Sequence, residues 1–195
     1  MPLVRYQVAI SIDGFIAPAD GSTQWLDPYG KAAWGFMRGW MKNIGGIVVG
    51  RTTYDQAAGM GGWMWGDTPA LVMTSRPLEH TSTSVEAFDG DPNEAVQRLA
   101  RRIPLTGGQD IWLFGGGVAA GRFLEAGAVD LLELAVVPVL LGEGRPLFAG
   151  VSLQRTFEPA GAAPIGEGCV VTTYRKISAQ TPSPRARRRP SPGSR

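Results

Sequence analysis

Three short segments of this 195-residue chain combine glycine, hydroxyl and guanidinium groups in a way that suits phosphate. Gly115-Gly116-Gly117 separates the apolar run Ile111 to Phe114 from the stretch that begins at Val118. A short apolar run bounded by glycine reads as a buried strand, and Val118 to Glu125 reads as a helix of good helix formers. Glycines between them let the backbone turn sharply and lie bare against a ligand. The first N–H groups of a helix lack internal partners, which makes a natural anion site. The expected occupant is the pyrophosphate of a nicotinamide nucleotide; a tight turn that binds nothing is the alternative on this stretch alone.

Gly50-Arg51-Thr52-Thr53 follows the apolar Gly46 to Val49 in the same way. Threonine caps a helix or meets a phosphate equally well, and Arg51 adds a planar cationic fork. Thr74-Ser75-Arg76 ends a third apolar run, Pro69 to Met73, and offers two hydroxyls and a guanidinium. Such a cluster suits a ribose phosphate, including the 2′-phosphate that separates NADP from NAD. In an open α/β sheet ligands bind beyond the carboxyl ends of the strands, so three parallel neighbours would put the three junctions along one rim. The glycines do not form the G-x-G-x-x-G dinucleotide fingerprint, and no segment ends in the Gly-Lys-Ser/Thr of a Walker loop.

Composition narrows the classes. Hydrophobic residues make up 44% and charged residues 18%, which fits a globular chain. The longest apolar stretch, Leu131 to Leu141, is broken by Glu133 and Pro138, short of a membrane span. The N-terminus leads straight into strand-like sequence without a charged and then apolar leader, so a cytoplasmic location is expected. One cysteine, Cys169, and one histidine, His80, preclude an intrachain disulfide and a His or Cys metal cluster, and no metal is expected. Cys169 lies in a strand pattern and reads as buried packing, and His80 as a surface residue. The net charge of +2 hides an asymmetry: residues 178–195 carry five Arg and no acid, leaving 14 basic against 17 acidic residues before them. This Pro/Ser/Arg-rich tail is expected to be disordered. Its basic run is the one feature that would favour nucleic acid, and the body shows no basic stripe. Residues 1–177 are expected to form one domain.

From the N-terminus onward, Leu3 to Ile10 reads as a first strand and Asp13-Gly14 as a turn opening a long loop to Pro28. Trp34, Met37, Trp40, Met41 and Ile44 fall at helical spacing, predicting a helix over Tyr29 to Asn43 with a core-facing stripe, stopped by Gly45-Gly46. A helix begins at Arg51, a weak strand lies over Ser82 to Phe88, and Asp91-Pro92 opens a helix to Arg102. Val129 to Val139 reads as a long strand. Ser152 to Glu158 and Cys169 to Lys176 read as a closing pair joined by a loop over Pro159 to Gly168.

The ordered set Ser11-x-Asp13-Gly14-Phe15-Ile16-Ala17, Gly50-Arg51-Thr52-Thr53-Tyr54, Thr74-Ser75-Arg76, Phe114-Gly115-Gly116-Gly117 and Pro138…Leu141-Gly142-Glu143-Gly144 resembles the dihydrofolate reductase-like superfamily. It is most similar to the group that includes the C-terminal reductase domain of the bacterial riboflavin biosynthesis deaminase/reductase. The resemblance spans Leu3 to Arg175. It implies an α/β fold in three layers, a central mixed, mostly parallel sheet flanked by helices, with an NADPH site and often a homodimer. By the resemblance, Arg51 and Thr52 hold the adenosine phosphates, and Ser75 and Arg76 read the 2′-phosphate. Gly116, Gly117 and Val118 cradle the pyrophosphate beside a strained Gly115-Gly116 peptide, and Ala9 and Ile16 flank the nicotinamide. Dihydrofolate reductases carry an acid on the first helix that helps protonate the pterin. The matching position here is Trp34, and the nearest acid is Asp27.

The expected function is therefore NADPH-dependent hydride transfer to a small planar heterocycle of pterin, pyrimidine or flavin type. Trp25 would line the substrate pocket, and Asp27 or Asp13 would supply a proton or orient a water. A nucleotide-binding or ligand-sensing protein without turnover is the alternative. The apolar strand Leu131 to Leu141 would offer a dimer surface.

Overall fold

Short apolar runs alternating with amphipathic ones favour a parallel sheet covered by crossover helices. The computed structural model describes residues 1–79, 82–152 and 154–177 and has this layout. In chain order its elements are β1 (Val4–Ser11), β2 (Phe15–Ala17), α1 (Gly30–Trp40), β3 (Ile44–Gly50), α2 (Arg51–Gly59), β4 (Ala70–Met73) and β5 (Val85–Phe88). There follow α3 (Pro92–Ala100), β6 (Asp110–Phe114), α4 (Gly117–Glu125), β7 (Leu131–Val137), β8 (Arg145–Pro146), β9 (Phe157–Gly166) and β10 (Cys169–Lys176). Eight strands form one sheet in the order β5-β4-β3-β6-β1-β7-β10-β9, and β2 and β8 pair separately. Every ladder from β5 to β7 is parallel. β10 lies antiparallel to both β7 and β9, so it alone runs against the others. The sheet is thus mixed and mostly parallel, as the resemblance implies.

The central strands are buried on both faces, hence their continuous apolar runs. One face packs Tyr6, Val48, Leu71 and Leu113 against Leu99 of α3 and Phe123 of α4. The other packs Ile47, Val49, Val72 and Trp112 with Trp40 of α1 and Tyr54 of α2. α3 starts as its sequence predicts: Asp91 caps it by accepting from Asn93 N, with Pro92 at the first position.

Several boundaries differ from the sequence reading, each for a tertiary reason. The helix expected over Tyr29 to Asn43 is α1 flanked by two 3-10 segments, Gln24–Tyr29 and Met41–Asn43. Trp34 is 55% exposed, so the core stripe of α1 is narrower than its spacing suggests. Gly45 and Gly46 stop no helix; they lie inside β3. A Cβ on Gly45 would sit 2.2 Å from the carbonyl oxygen of Gly108, and one on Gly46 would sit 2.8 Å from Leu99. Their smallness lets a neighbouring loop and α3 close onto the strand.

The closing hairpin is shifted. Ser152 and residues 154–156 lack strand pairing, whereas 159–166, expected as a loop, are most of β9. Pro159 and Pro164 are tolerated because β9 is an edge strand, where a missing donor costs little. β7 is an interior strand between β1 and β10, so Leu131 to Val137 cannot supply a free dimer edge. Cys169 is buried and unpaired in a disulfide, as expected. Among the described residues, no helix is long and apolar enough to cross a membrane, and no cluster of His, Cys, Asp or Glu could hold a metal. His80 and the 178–195 tail lie outside the described residues.

Candidate functional site

β4, β3 and β6 are parallel neighbours, and their carboxyl ends are level. Gly50 pairs with Met73, and Val49 with Phe114. The segments starting at Arg51, Thr74 and Gly115 therefore leave the sheet side by side on one rim. Beyond that rim lies a cavity of about 670 Å³. Its lining contains Ala9, Ile16, Gly50, Arg51, Thr52, Thr53, Gly115, Gly116, Gly117 and Val118. Thus two of the three junctions open directly into one space, which also takes in residues of β1 and β2.

The glycine junction has the backbone its sequence suggests. Gly115 and Gly116 have φ of +64° and +82° in succession, a conformation cheap only for glycine. All peptide bonds of the described residues are trans. Gly116 is the N-cap of α4 and no side chain caps that end. The leading N–H groups of α4 are therefore left for a ligand or water. A Cβ on Gly117 would lie 2.6 Å from the carbonyl oxygen of Pro146, so β8 and α4 meet through the absent side chain. Thr53 packs against the same turn, 3.1 Å from where a Gly115 Cβ would be.

Arg51 is held rather than free. Its Nε donates to Asp55 at 2.7 Å, one turn on, and its Nη1 donates to the Pro77 carbonyl at 3.0 Å. The second bond ties α2 to the segment after β4. Thr74 accepts from Arg76 N at 3.1 Å, forming a small turn that leaves Ser75 and Arg76 exposed. Thr74, Ser75 and Arg76 do not line the cavity; the segment they begin is tied to Arg51 through the Pro77 carbonyl.

β2 and β8 bring Ile16 and Ala17 over the cavity opposite Arg145 and Pro146. The turn before them is set by Ser11, whose Oγ accepts from Phe15 N at 2.9 Å. Asp13 accepts from Gly142 N at 2.7 Å and Leu141 N at 3.2 Å, joining the two loops. The Ser11 hydroxyl, and then these N–H groups, hold the Asp13 carboxyl below the usual carboxylate range. Asp13 is exposed and outside the cavity lining, as is Asp27 in the 3-10 segment. Trp25 is half-buried and does not reach the lining; its neighbours Thr23 and Leu26 do. Among the described residues, the lining contains no carboxylate and no imidazole.

Sequence reasoning missed Gln7, Trp112 and Phe114, which floor the cavity. The rings of Trp112 and Phe114 stand 4.3 Å apart and are backed by Trp65 and Trp40 at 5.1 and 5.4 Å from Trp112. The period-2 spacing of Trp112 and Phe114 is the available signal, because alternate strand residues share a face. Gln7 is legible only as a polar residue inside an apolar strand. Beside this floor lies a buried charge pair. Glu133 accepts from Arg5 at 2.6 and 2.8 Å and from the Trp40 indole at 3.0 Å. Burial pulls the Arg5 guanidinium down, but the bonds and charges of Glu133 and Asp110 outweigh it and raise it.

The chain is similar to known proteins in sequence and in fold. A Bacillus subtilis (strain 168) protein, the uncharacterized YwjB, is 27% identical over 161 residues, 82% of this chain and 90% of its own length. The Thermotoga maritima diaminohydroxyphosphoribosylaminopyrimidine deaminase/5-amino-6-(5-phosphoribosylamino)uracil reductase superposes with a TM-score of 0.65 at 17% identity, covering 90% of this chain and 57% of that one. Dihydrofolate reductase from Enterococcus faecalis, solved with NADP(H), superposes with a TM-score of 0.57 at 19% identity, covering 90% of this chain and 97% of the other. These superpositions establish a dihydrofolate reductase-like fold. Residues 2–171 match the RibD C-terminal domain family, and the chain belongs to that family of reductase-like domains.

Proposed function

We propose that this protein is an NADPH-dependent reductase that transfers a hydride to a small planar heterocycle, with a pyrimidine-type ring favoured by the reductase activity named for the Thermotoga relative. The observation that carries the reading is the level rim. Separate strand ends deliver an uncapped helix N-terminus, a consecutive pair of positive-φ glycines and a tethered arginine to one cavity. In this reading Gly116, Gly117 and Val118 take the pyrophosphate. Arg51, Thr52 and Thr53 take the adenosine-side phosphates, Ser75 and Arg76 read the 2′-phosphate, and Ala9 and Ile16 flank the nicotinamide. The bound cofactor supplies the hydride, and the protein orients it. Phe114 and Trp112 would hold the acceptor ring against it. No acid lines the cavity, so the proton that balances the hydride would come from water at the mouth.

Titration with NADPH and NADH, followed by nicotinamide fluorescence, tests this directly. Folded protein that binds neither would end the proposal. The missing acid also motivates a second reading, a ligand sensor that binds nucleotide without turnover. NADPH binding with no NADPH oxidation across pterins, flavins and uracils would select it. A second copy of the chain is the proposed partner, with the uncharged stretch Pro159 to Gly166 as its contact. That stretch is exposed apart from Ile165 and packs against α1, whose Trp34 is also exposed.

A further inference from the structure

Gln7 lies on the face of β1 that carries Arg5 and Ala9, because strand side chains alternate. It is 8% exposed and lines the cavity. Its backbone carbonyl accepts from Trp112 Nε1 at 3.2 Å. Its carboxamide has no hydrogen-bond partner among the described residues. Nor are its amide atoms among the fully occluded, unpartnered ones, which here are Tyr6 Oη and three indole nitrogens. A buried amide that is neither bonded nor sealed opens onto the cavity. A polar group left so is costly unless something pairs with it.

The charges on its own strand and on the neighbouring β7 are already committed. Glu133, its cross-strand partner on β7, accepts from Arg5 and Trp40. Arg5 also donates to Asp110 at 3.2 Å. Of the other uncharged polar side chains of the lining, Thr23, Thr52 and Gln56 are exposed and Thr53 is half-buried against the glycine turn, and Gln56 donates to the Gly21 carbonyl at 3.3 Å. A charged ligand group placed at Gln7 would therefore find no free counter-charge on β1 or β7.

We propose that Gln7 is the substrate-recognition residue of this cavity, pairing through its carboxamide with the cis-amide (lactam) edge of a neutral planar heterocycle. Nε2–H donates to the ring carbonyl and Oε1 accepts from the adjacent ring N–H. A carboxamide presents one donor and one acceptor in a single plane, matched to that edge. A ring without it would leave both partners stranded, which is how a site rejects analogues lacking a hydrogen-bonding group. This inference rests on the reading of the cavity as a reductase site.

The test is calorimetric titration of the full chain with lumazine, which bears lactam edges, and with 1,3-dimethyllumazine, whose ring N–H groups are blocked. Wild-type protein and Gln7→Met, close to it in volume, are compared, and NADPH is titrated into each. Wild type should prefer lumazine by at least about tenfold. Gln7→Met should lose that preference through weaker lumazine binding, with NADPH affinity unchanged. Equal binding of the two rings by wild type, no binding of either, or a preference that survives in Gln7→Met overturns the inference. If Gln7→Met does not fold, the methylation comparison on wild type decides it. A lumazine preference that depends on Gln7 in a protein that binds no NADPH keeps this inference and removes the cofactor assignment.

Discussion

Arg5 of β1 and Glu133 of β7 form a two-pronged ion pair, with Nη2 and Nε donating at 2.6 and 2.8 Å, in a part of the sheet with little access to water. The guanidinium also lies 4.8 Å above the Trp40 ring, whose indole donates to the same carboxylate. The pair joins two parallel strands to α1.

Removing one partner should therefore cost more than removing both. Glu133→Leu leaves a buried guanidinium with only Asp110 as counter-charge and should destabilise by about 3 kcal/mol or more. The double variant Arg5→Met/Glu133→Leu should be more stable than Glu133→Leu. Urea denaturation of wild type and the two variants measures this, and a double variant no more stable than Glu133→Leu would refute it.

The glycine cradle makes a sharper prediction. Gly117→Ala drives a methyl toward the Pro146 carbonyl, which is backbone and cannot swing away. A loss of about 1–3 kcal/mol is expected, together with weaker NADPH binding. Thermal melts and nicotinamide fluorescence check the two parts separately.

The two outer arginines should differ. Arg76 is exposed at the edge of the rim, so Arg76→Ala should weaken NADPH more than NADH if it reads the 2′-phosphate. Arg51→Ala should weaken both, since Arg51 lines the cavity and also anchors the segment after β4. Equal effects of Arg76→Ala on the two nucleotides would count against the 2′-phosphate assignment.

Asp13 predicts a pH dependence at the acidic end. Its folded carboxyl lies below 3.8, so its clamp on Leu141 and Gly142 is intact above that value and is lost as pH falls through the lower folded one. Exchange protection at the Gly142 amide should be flat from neutral pH to about 4, the region of an ordinary carboxylate, and fall below it. Asp13→Ala should lower that protection at every pH.

Cys169 should behave as a packed side chain. Burial, and then the nearby Glu167, raise its thiol. A disulfide reagent at neutral pH should react slowly with the native protein and fully once it is denatured. Rapid native reaction would contradict the burial.

Much of this molecule is legible before it folds. The run Ile47-Val48-Val49 needs no context to be read as a strand, and neither does Leu71-Val72 or the segment around Leu113; all six are fully buried. Gly115-Gly116 announces a turn, because few other residues hold two positive φ angles in succession. The closing hairpin is illegible for the opposite reason. Pro159, Gly161 and Pro164 carry loop propensities, and only pairing with β10 makes 157–166 a strand.

The candidate site divides along the same line. Local chemistry is enough to pick out Arg51, Thr53, Gly116 and Gly117, because each sits at a strand end whose backbone demands are written in adjacent residues. Gln7, Trp112 and Phe114 join them only because β1 and β6 become neighbours across a separation of more than 100 residues. Asp13 and Asp27 lie near the right motifs along the chain, yet the fold directs one to clamp a loop and leaves the other exposed. Pairing between distant strands sets which side chains share a cavity, and no local propensity encodes that.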